Sequence, residues 1–62
     1  MPSPVRFSEV QKMLHAKGYR LDRIRGSHYV FEKPLCRPVT LPVHHGKVNY
    51  DYVRQIQKLD RQ

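Results

Sequence analysis

The sequence has 62 residues, of which 12 are Lys or Arg and five are Asp or Glu, so its formal net charge at pH 7 is +7. Such a chain forms one small domain, residues 1–62, whose single cysteine excludes an intrachain disulfide and a cysteine-based zinc site. No apolar run approaches the roughly 20 residues that span a bilayer, and the N-terminal residues lack the apolar core of a signal peptide, so we expect a cytoplasmic protein without a membrane partner.

The positive charge is spread along the chain and is not gathered in one block. Basic residues are interleaved with apolar and aromatic ones between Tyr19 and Phe31, which places the charge on a folded surface and not on a disordered tail. A folded basic surface attracts polyanions, with nucleic acid first, an acidic protein second and anionic lipid a distant third. Solubility alone would also account for the charge, but we favour nucleic-acid binding.

The N-terminal third of the chain predicts an arm and a helix. Residues 1–7 contain two prolines and are predicted to form a short N-terminal arm. Ser8 is predicted to cap a helix over residues 8–17, with Gln11 completing a capping box. Apolar residues recur at helical spacing along this segment, and Gly18 stands where a left-handed residue closes a helix.

Three strand-like segments follow the helix. Residues 19–25 alternate with period two, but the phase of the alternation is ambiguous, and the sequence RGS ends the segment at a turn. Residues 28–33 form the second strand, with His28 and every second residue after it on one side. Residues 39–43 form the third strand, and Pro42, which has no N–H to donate, predicts that this strand lies at an edge of the sheet or ends there.

The last part of the chain predicts a loop over residues 44–47 and a helix over residues 50–62 with Asn49 as its N-cap. The element order is therefore α-β-β-β-α with short connections. This order predicts an α+β fold in which a three-stranded antiparallel sheet carries both helices on one face and leaves the other face open. Double-stranded-RNA-binding domains have the same element order.

Motifs along most of the chain carry a resemblance to a known family. They are a first helix closed by KGY, a strand leading to RGSHYVF, then VTLPVH with GK, and a last helix containing VRQIQKL. From Ser8 to Leu59 the chain resembles the HicA family of mRNA interferase toxins. The resemblance implies a fold like that of double-stranded-RNA-binding domains, an RNA substrate, and a HicB-type antitoxin that covers the toxin. It also implies that His28 is catalytic and that Gly26 and Ser27 support it.

The residues around His28 fit this role without the family. Most strand histidines are simply packed or solvated, but Gly26 and Ser27 add no bulk beside this one and leave room for a polyanion backbone. Histidine titrates at about 6.5, so it exchanges protons near neutral pH. RNA supplies its own nucleophile, the 2′-hydroxyl, so cleavage requires only proton transfer and positive charge. We interpret His28 as the general acid or base of a metal-independent endoribonuclease that needs no cofactor and inhibits translation.

Other basic residues are candidates for binding RNA phosphates. They cluster along the predicted sheet and its loops and are Arg20, Arg23, Arg25, Lys33, Arg37, His44 and Lys47. Each is equally explained as a solvated charge, so the group matters more than any member. His44 matches the family motif, whereas His45 stands where a small residue is usual. We predict no metal site, because adjacent histidines on extended backbone point in opposite directions and no carboxylate or cysteine completes a ligand set.

Two alternatives remain open from the sequence. One is a non-catalytic RNA-binding module with the same fold and the same basic surface. The other is an interaction domain whose charge serves only to engage an acidic protein. RNA cleavage separates the enzyme from the module, and the dependence of RNA affinity on salt separates both from the interaction domain.

Overall fold

The computed structural model of the chain describes residues 3–60. Its elements are β1 (Val5–Arg6), α1 (Phe7–Ala16), β2 (Arg20–Arg25), β3 (His28–Glu32), β4 (Val39–Pro42), β5 (Lys47–Val48) and α2 (Tyr50–Gln57), followed by a 3-10 turn at Lys58–Asp60. Strands β2, β3 and β4 form an antiparallel sheet with β3 in the centre, and β1 pairs with β5. The two helices and the three-stranded antiparallel sheet confirm the predicted α+β class. The β1–β5 pair was not predicted, and it takes two residues from the segment predicted as an arm; Met1 and Pro2 lie outside the described residues.

Helix α1 begins one residue earlier than predicted. Its N-cap is Arg6, which makes no side-chain capping hydrogen bond, so the predicted cap at Ser8 and its capping box with Gln11 are wrong. The reason is tertiary: β1 leads directly into the helix, and the Phe7 amide donates to the carbonyl of Gly46 at 2.8 Å. This long-range bond satisfies one of the helix's first amides, which have no partner within the helix.

The C-terminal end of α1 follows the prediction. Gly18 has a φ of +91°, a left-handed conformation that an L-residue with a side chain adopts only at a cost. Its amide donates to the carbonyl of His15, and the amide of Tyr19 donates to that of Leu14, which together form a Schellman motif. Tyr19 and Leu14 are both buried, so the motif also directs the chain back into the core before β2 begins.

A bulge in β2 explains why the phase of residues 19–25 was ambiguous. The register of β2 against β3 shifts between Leu21 and Arg23, which leaves Asp22 as an extra residue. An extra residue reverses the alternation of side chains, so one period-two pattern cannot fit the whole strand. All six residues of β2 are exposed.

The core lies between the helices and one face of the sheet, as predicted. Its buried members come from both helices and from β3, β4 and β5 and the segments beside them, and they are Val10, Leu14, Tyr19, Phe31, Leu41, Val43, Val48, Val53 and Ile56. Helix α2 begins at the predicted cap, since the Asp51 amide donates to Oδ1 of Asn49 at 2.8 Å. Neither of the two helices in residues 3–60 lies against the opposite face of the sheet.

The remaining features of the fold are the edge position of β4 and the C-terminal end of α2. Strand β4, with its Pro42, is an edge strand as predicted. Helix α2 stops at Gln57 and continues only as a 3-10 turn, and the last two residues of the predicted helix, 61–62, lie outside the described part of the chain. Within residues 3–60, neither helix has the length and apolar character that crossing a membrane requires.

Candidate functional site

The face of the sheet that points away from the helices carries most of the charge of the strands. Cross-strand pairing places Arg25 opposite His28 and Arg23 opposite Val30, and alternation puts these side chains on one side. We call this surface the open face, and its members are Arg20, Asp22, Arg23, Arg25, His28, Val30, Glu32, Thr40 and Pro42. Val30 is buried without belonging to the core cluster, so its neighbours on the open face cover it.

His28 lies at the end of the open face where β2 turns into β3. The turn consists of Gly26 and Ser27, and only Gly26 has a positive φ, +57°, which is the pattern of a type II′ hairpin turn. A side chain at Gly26 would meet nothing within 4 Å, so the space beside the turn is open. His28 is exposed, and its ring forms no hydrogen bond or ion pair with any other residue that the structure describes. The imidazole is presented to solvent beside Arg25.

A second turn, at residues 44–47, lies at the same end of the sheet. Its end residues exchange both backbone hydrogen bonds, at 3.0 and 2.9 Å. Its central residues, His45 and Gly46, have φ values of +55° and +73°, as a type I′ turn requires. The amide of Val43 donates to the carbonyl of Ser27 at 2.7 Å, which joins the two turns. The structure thus brings the predicted phosphate contacts His44 and Lys47 to the end of the sheet that holds His28.

Arg6 is a cation at this end that the sequence did not reveal. The β1–β5 pairing places Arg6 opposite Lys47, and both side chains are exposed. Two like charges side by side repel each other unless an anion lies between them. No local pattern predicts a pair of two-residue strands, so the sequence alone gave no signal for this neighbour.

Three of the predicted phosphate contacts lie at the end of the sheet remote from His28, and one of them, Arg20, stands opposite Glu32 there. Lys33 follows the last residue of β3, roughly 16 Å along the strand from His28 at about 3.3 Å per residue. Its ammonium lies 5.6 Å from the centre of the Tyr19 ring, a cation–π distance, and its stem packs against Gly18. Arg37 is in the connection from β3 to β4, at the same remote end. The structure does not bring any of these three residues to His28.

An acidic pair at the remote end of the open face was also missed by the sequence analysis. Asp22, the extra residue of the bulge, raises the pKa of the Glu32 carboxyl, first through a hydrogen bond between the two side chains and second through its negative charge. Arg23 opposes this shift and donates to Asp22 at 2.5 Å. The open face is therefore cationic near His28 and partly neutralised at its other end, so an anionic chain is attracted to the His28 end.

Within the described range 3–60, no three His, Cys, Asp or Glu side chains are grouped so that they would hold a metal ion. Cys36 is exposed and is not part of a disulfide.

Comparison with known proteins now identifies the family. Residues 7–59 match the family described as the HicA toxin of bacterial toxin–antitoxin systems. Searches of curated proteins and of solved structures gave no significant match. The match spans both helices, all of the three-stranded sheet and both turns, and it confirms the resemblance found in the sequence. The chain belongs to the HicA family of toxins of bacterial toxin–antitoxin systems.

Proposed function

We propose that this protein is the toxin of a type II toxin–antitoxin pair, that it cleaves mRNA in the cytoplasm and so inhibits translation, and that a HicB-type antitoxin holds it inactive. The observation that carries the proposal is the setting of His28. Its exposed imidazole stands at the cationic end of the open face, opposite Arg25 on β2 and opposite Pro42 on β4, which leads into the turn at residues 44–47.

The chemistry that this setting supports is transesterification by the RNA itself. The 2′-oxygen attacks the adjacent phosphorus, the bond to the 5′-oxygen breaks, and the products are a 2′,3′-cyclic phosphate and a 5′-hydroxyl. Since the attacking and leaving oxygens lie on opposite sides of the phosphorus, one imidazole serves only one of them directly. His28 therefore takes the proton of the 2′-hydroxyl or gives one to the 5′-oxygen, and water serves the other oxygen.

The cations around His28 supply the second requirement, which is stabilisation of the charge that develops on the phosphate. Arg25 is its cross-strand neighbour, with side chains roughly 5 Å apart at their Cβ atoms. Arg23 continues this cationic row on β2, and Lys47 with Arg6 adds charge from the joined turn. A guanidinium binds two phosphate oxygens at once, so Arg25 suits the scissile phosphate and the others suit its neighbours.

The test is cleavage of a single-stranded RNA by the wild type and by His28→Ala. We expect the variant to lose roughly 10²- to 10⁴-fold in cleavage rate, the usual contribution of general acid–base catalysis. An RNA that carries one 2′-deoxynucleotide at the cleaved position should resist the wild type, because the nucleophile is then missing. Gel analysis should also show products ending in a cyclic phosphate.

His15→Ala is the matched control, since His15 is another exposed histidine but lies in the last turn of α1. It should cleave RNA at the wild-type rate. Equal cleavage by the wild type and His28→Ala would refute the role of His28. RNA binding by the wild type without any cleavage would instead favour the non-catalytic RNA-binding module.

A further inference from the structure

Strand β2 exposes two apolar side chains that neither helix covers. Leu21 is 36% and Ile24 is 50% exposed, although their cross-strand partners Phe31 and Tyr29 are buried and half-buried on the same side of the sheet. The core cluster takes its sheet residues from β3 and β4, so the helical layer stops short of β2. A shallow depression bordered in part by Tyr19 and Leu21 continues this apolar strip along the end of α1.

The backbone of β2 is also open at its outer side. A two-residue hairpin closes with a hydrogen-bonded pair, here Arg25 and His28, so the next pair is not hydrogen-bonded and the amide and carbonyl of Ile24 point outward. The other edge of the sheet differs. There Pro42, opposite His28, has no N–H to offer an added strand. Beside the hairpin end of the sheet, the β2 edge therefore offers both an amide and a carbonyl, whereas the β4 edge lacks the donor there.

Charge decides which partner fits this edge. Arg23 and Arg25 flank Ile24 on its open-face side; Arg23 is paired with Asp22, and Arg25 forms no ion pair with any residue that the structure describes. A second copy of the chain would place these arginines against their own counterparts, which is repulsive. RNA would meet the arginines but would leave the apolar strip uncovered. A protein segment with alternating acidic and apolar residues satisfies the charges, the apolar strip and the outward backbone groups together.

We propose that the outer edge of β2 docks an extended segment of the antitoxin that turns apolar side chains toward Leu21 and Ile24 and acidic side chains toward Arg23 and Arg25. The proposal rests on the antitoxin partner of the proposed function. The bulge at Asp22 interrupts the edge, so the added strand pairs with the backbone only around Ile24. Apolar burial and charge pairing therefore contribute most of the affinity. The docked segment ends beside the turn that precedes His28, which would bring the antitoxin next to the catalytic histidine.

The test is an NMR titration. A synthetic peptide of alternating Val and Glu is added as the probe to isotopically labelled protein. We expect the amide signals of residues 20–25 to shift most. A peptide of the same composition with its Val and Glu residues grouped in blocks should bind at least roughly fivefold more weakly, because it cannot place both classes of side chain on their own sides. A Val and Lys peptide should not bind, because the arginines repel it.

The variant that targets the edge is Ile24→Ser, with Leu35→Ser as the matched control. Leu35 is more exposed than Ile24 but lies in the connection between β3 and β4. We expect Ile24→Ser to weaken the Val and Glu peptide by roughly fivefold, about the value of burying half an isoleucine side chain. Leu35→Ser should leave its affinity unchanged. If Ile24→Ser does not fold, the affinities of the wild type for the alternating and the blocked peptide still test the proposal.

Several outcomes would overturn the proposal. They are equal affinity for the alternating and blocked peptides, shifts located away from β2, and a dimer of the free protein that Ile24→Ser dissociates, which would assign the edge to a second copy. If the signal of the outward-facing Ile24 amide shifted with single-stranded RNA but not with the peptide, the edge of β2 would be assigned to RNA. Failure of the proposed function looks different, since it is loss of His28-dependent cleavage, which Ile24→Ser should retain.

Discussion

The two faces of the three-stranded sheet differ in burial and in charge. On the helix side, the residues of β3 and β4 are all buried or half-buried, with Phe31 at the centre and the ring of Phe7 at 6.1 Å from it. On the open face the arginines of β2 and His28 are exposed. In so small a domain, one face supplies the core and the other stays exposed to solvent.

This separation means that the residues of the proposed site add little to the stability of the fold. The open face has one buried member, Val30, and its charged residues pack against no helix. Substitutions on it should therefore change binding and cleavage while the free energy of unfolding stays nearly the same. Substitutions on the helix side should do the reverse.

The largest effect is expected from Phe31→Ala. Phe31 is fully buried and is the largest side chain of the core without exposed surface, so its truncation removes apolar burial and leaves a cavity. Such substitutions cost about 3–5 kcal/mol, a large part of the stability of a domain this small. Urea denaturation, monitored by circular dichroism, should show that the variant is largely unfolded at 25 °C.

Thr40→Ala is the control from the open face, since Thr40 is exposed on the neighbouring strand. We expect its free energy of unfolding to lie within about 0.5 kcal/mol of the wild type. If Thr40→Ala destabilised the protein as much as Phe31→Ala, the two faces would not be separable, and loss of cleavage in any open-face variant would need another explanation.

The sequence predicted those parts of the fold that local patterns determine. The left-handed residue Gly18 that closes α1, the cap at Asn49 and the edge position of β4 each depend on a few neighbouring residues, and all are found. The start of α1 was mispredicted because it depends on β1 and β5, which are 40 residues apart and too short to leave a pattern. The phase of β2 could not be determined because a bulge at Asp22 breaks the alternation on which it rests.

The candidate site shows the same limit. That His28 follows a turn and leads a strand could be seen in the sequence, and the structure places it there. Grouping the basic residues by their closeness in sequence, however, assigned Arg20, Lys33 and Arg37 to the site and omitted Arg6. The distance of a residue from His28 depends on its position along a strand, and pairing between distant segments adds neighbours. A list of basic residues shows neither of these two factors.

A comparison of Arg25→Gln with Arg37→Gln sharpens this point. Arg25 lies beside His28, whereas Arg37 lies in the remote connection. Removing one phosphate contact should lower the slope of log affinity against log salt by about 0.7 and weaken RNA binding roughly fivefold at about 0.1 M salt. Fluorescence anisotropy at several salt concentrations measures both quantities.

For Arg37→Gln we expect a smaller change in both quantities, with the free energy of unfolding unchanged in either variant. Equal effects of the two substitutions would mean that RNA extends along the whole sheet or binds by general charge, and the open face would then have no preferred end.

The smallest effect is expected from Glu32→Gln. It concerns the acidic pair of the open face, Asp22 and Glu32. Because Asp22 raises the pKa of Glu32, the folded state holds the Glu32 proton more tightly than the unfolded state does. The stabilisation from this proton is fully present below the ordinary glutamate pKa of about 4.3 and is lost as pH rises through the raised value. At neutral pH the two carboxylates repel each other.

A glutamine at position 32 keeps a group that donates to Asp22 and carries no charge at any pH. Glu32→Gln should therefore be slightly more stable than the wild type at about pH 7 and should lose this advantage at about pH 4, as measured by urea denaturation at both values. Glu9→Gln is the matched control, because Glu9 is exposed and lies in the first turn of α1, where negative charge is favourable. It should show no gain at neutral pH. If both variants gained equally, the general replacement of Glu by Gln and not the pair at the bulge would be the cause, and Asp22 would have no special effect on Glu32.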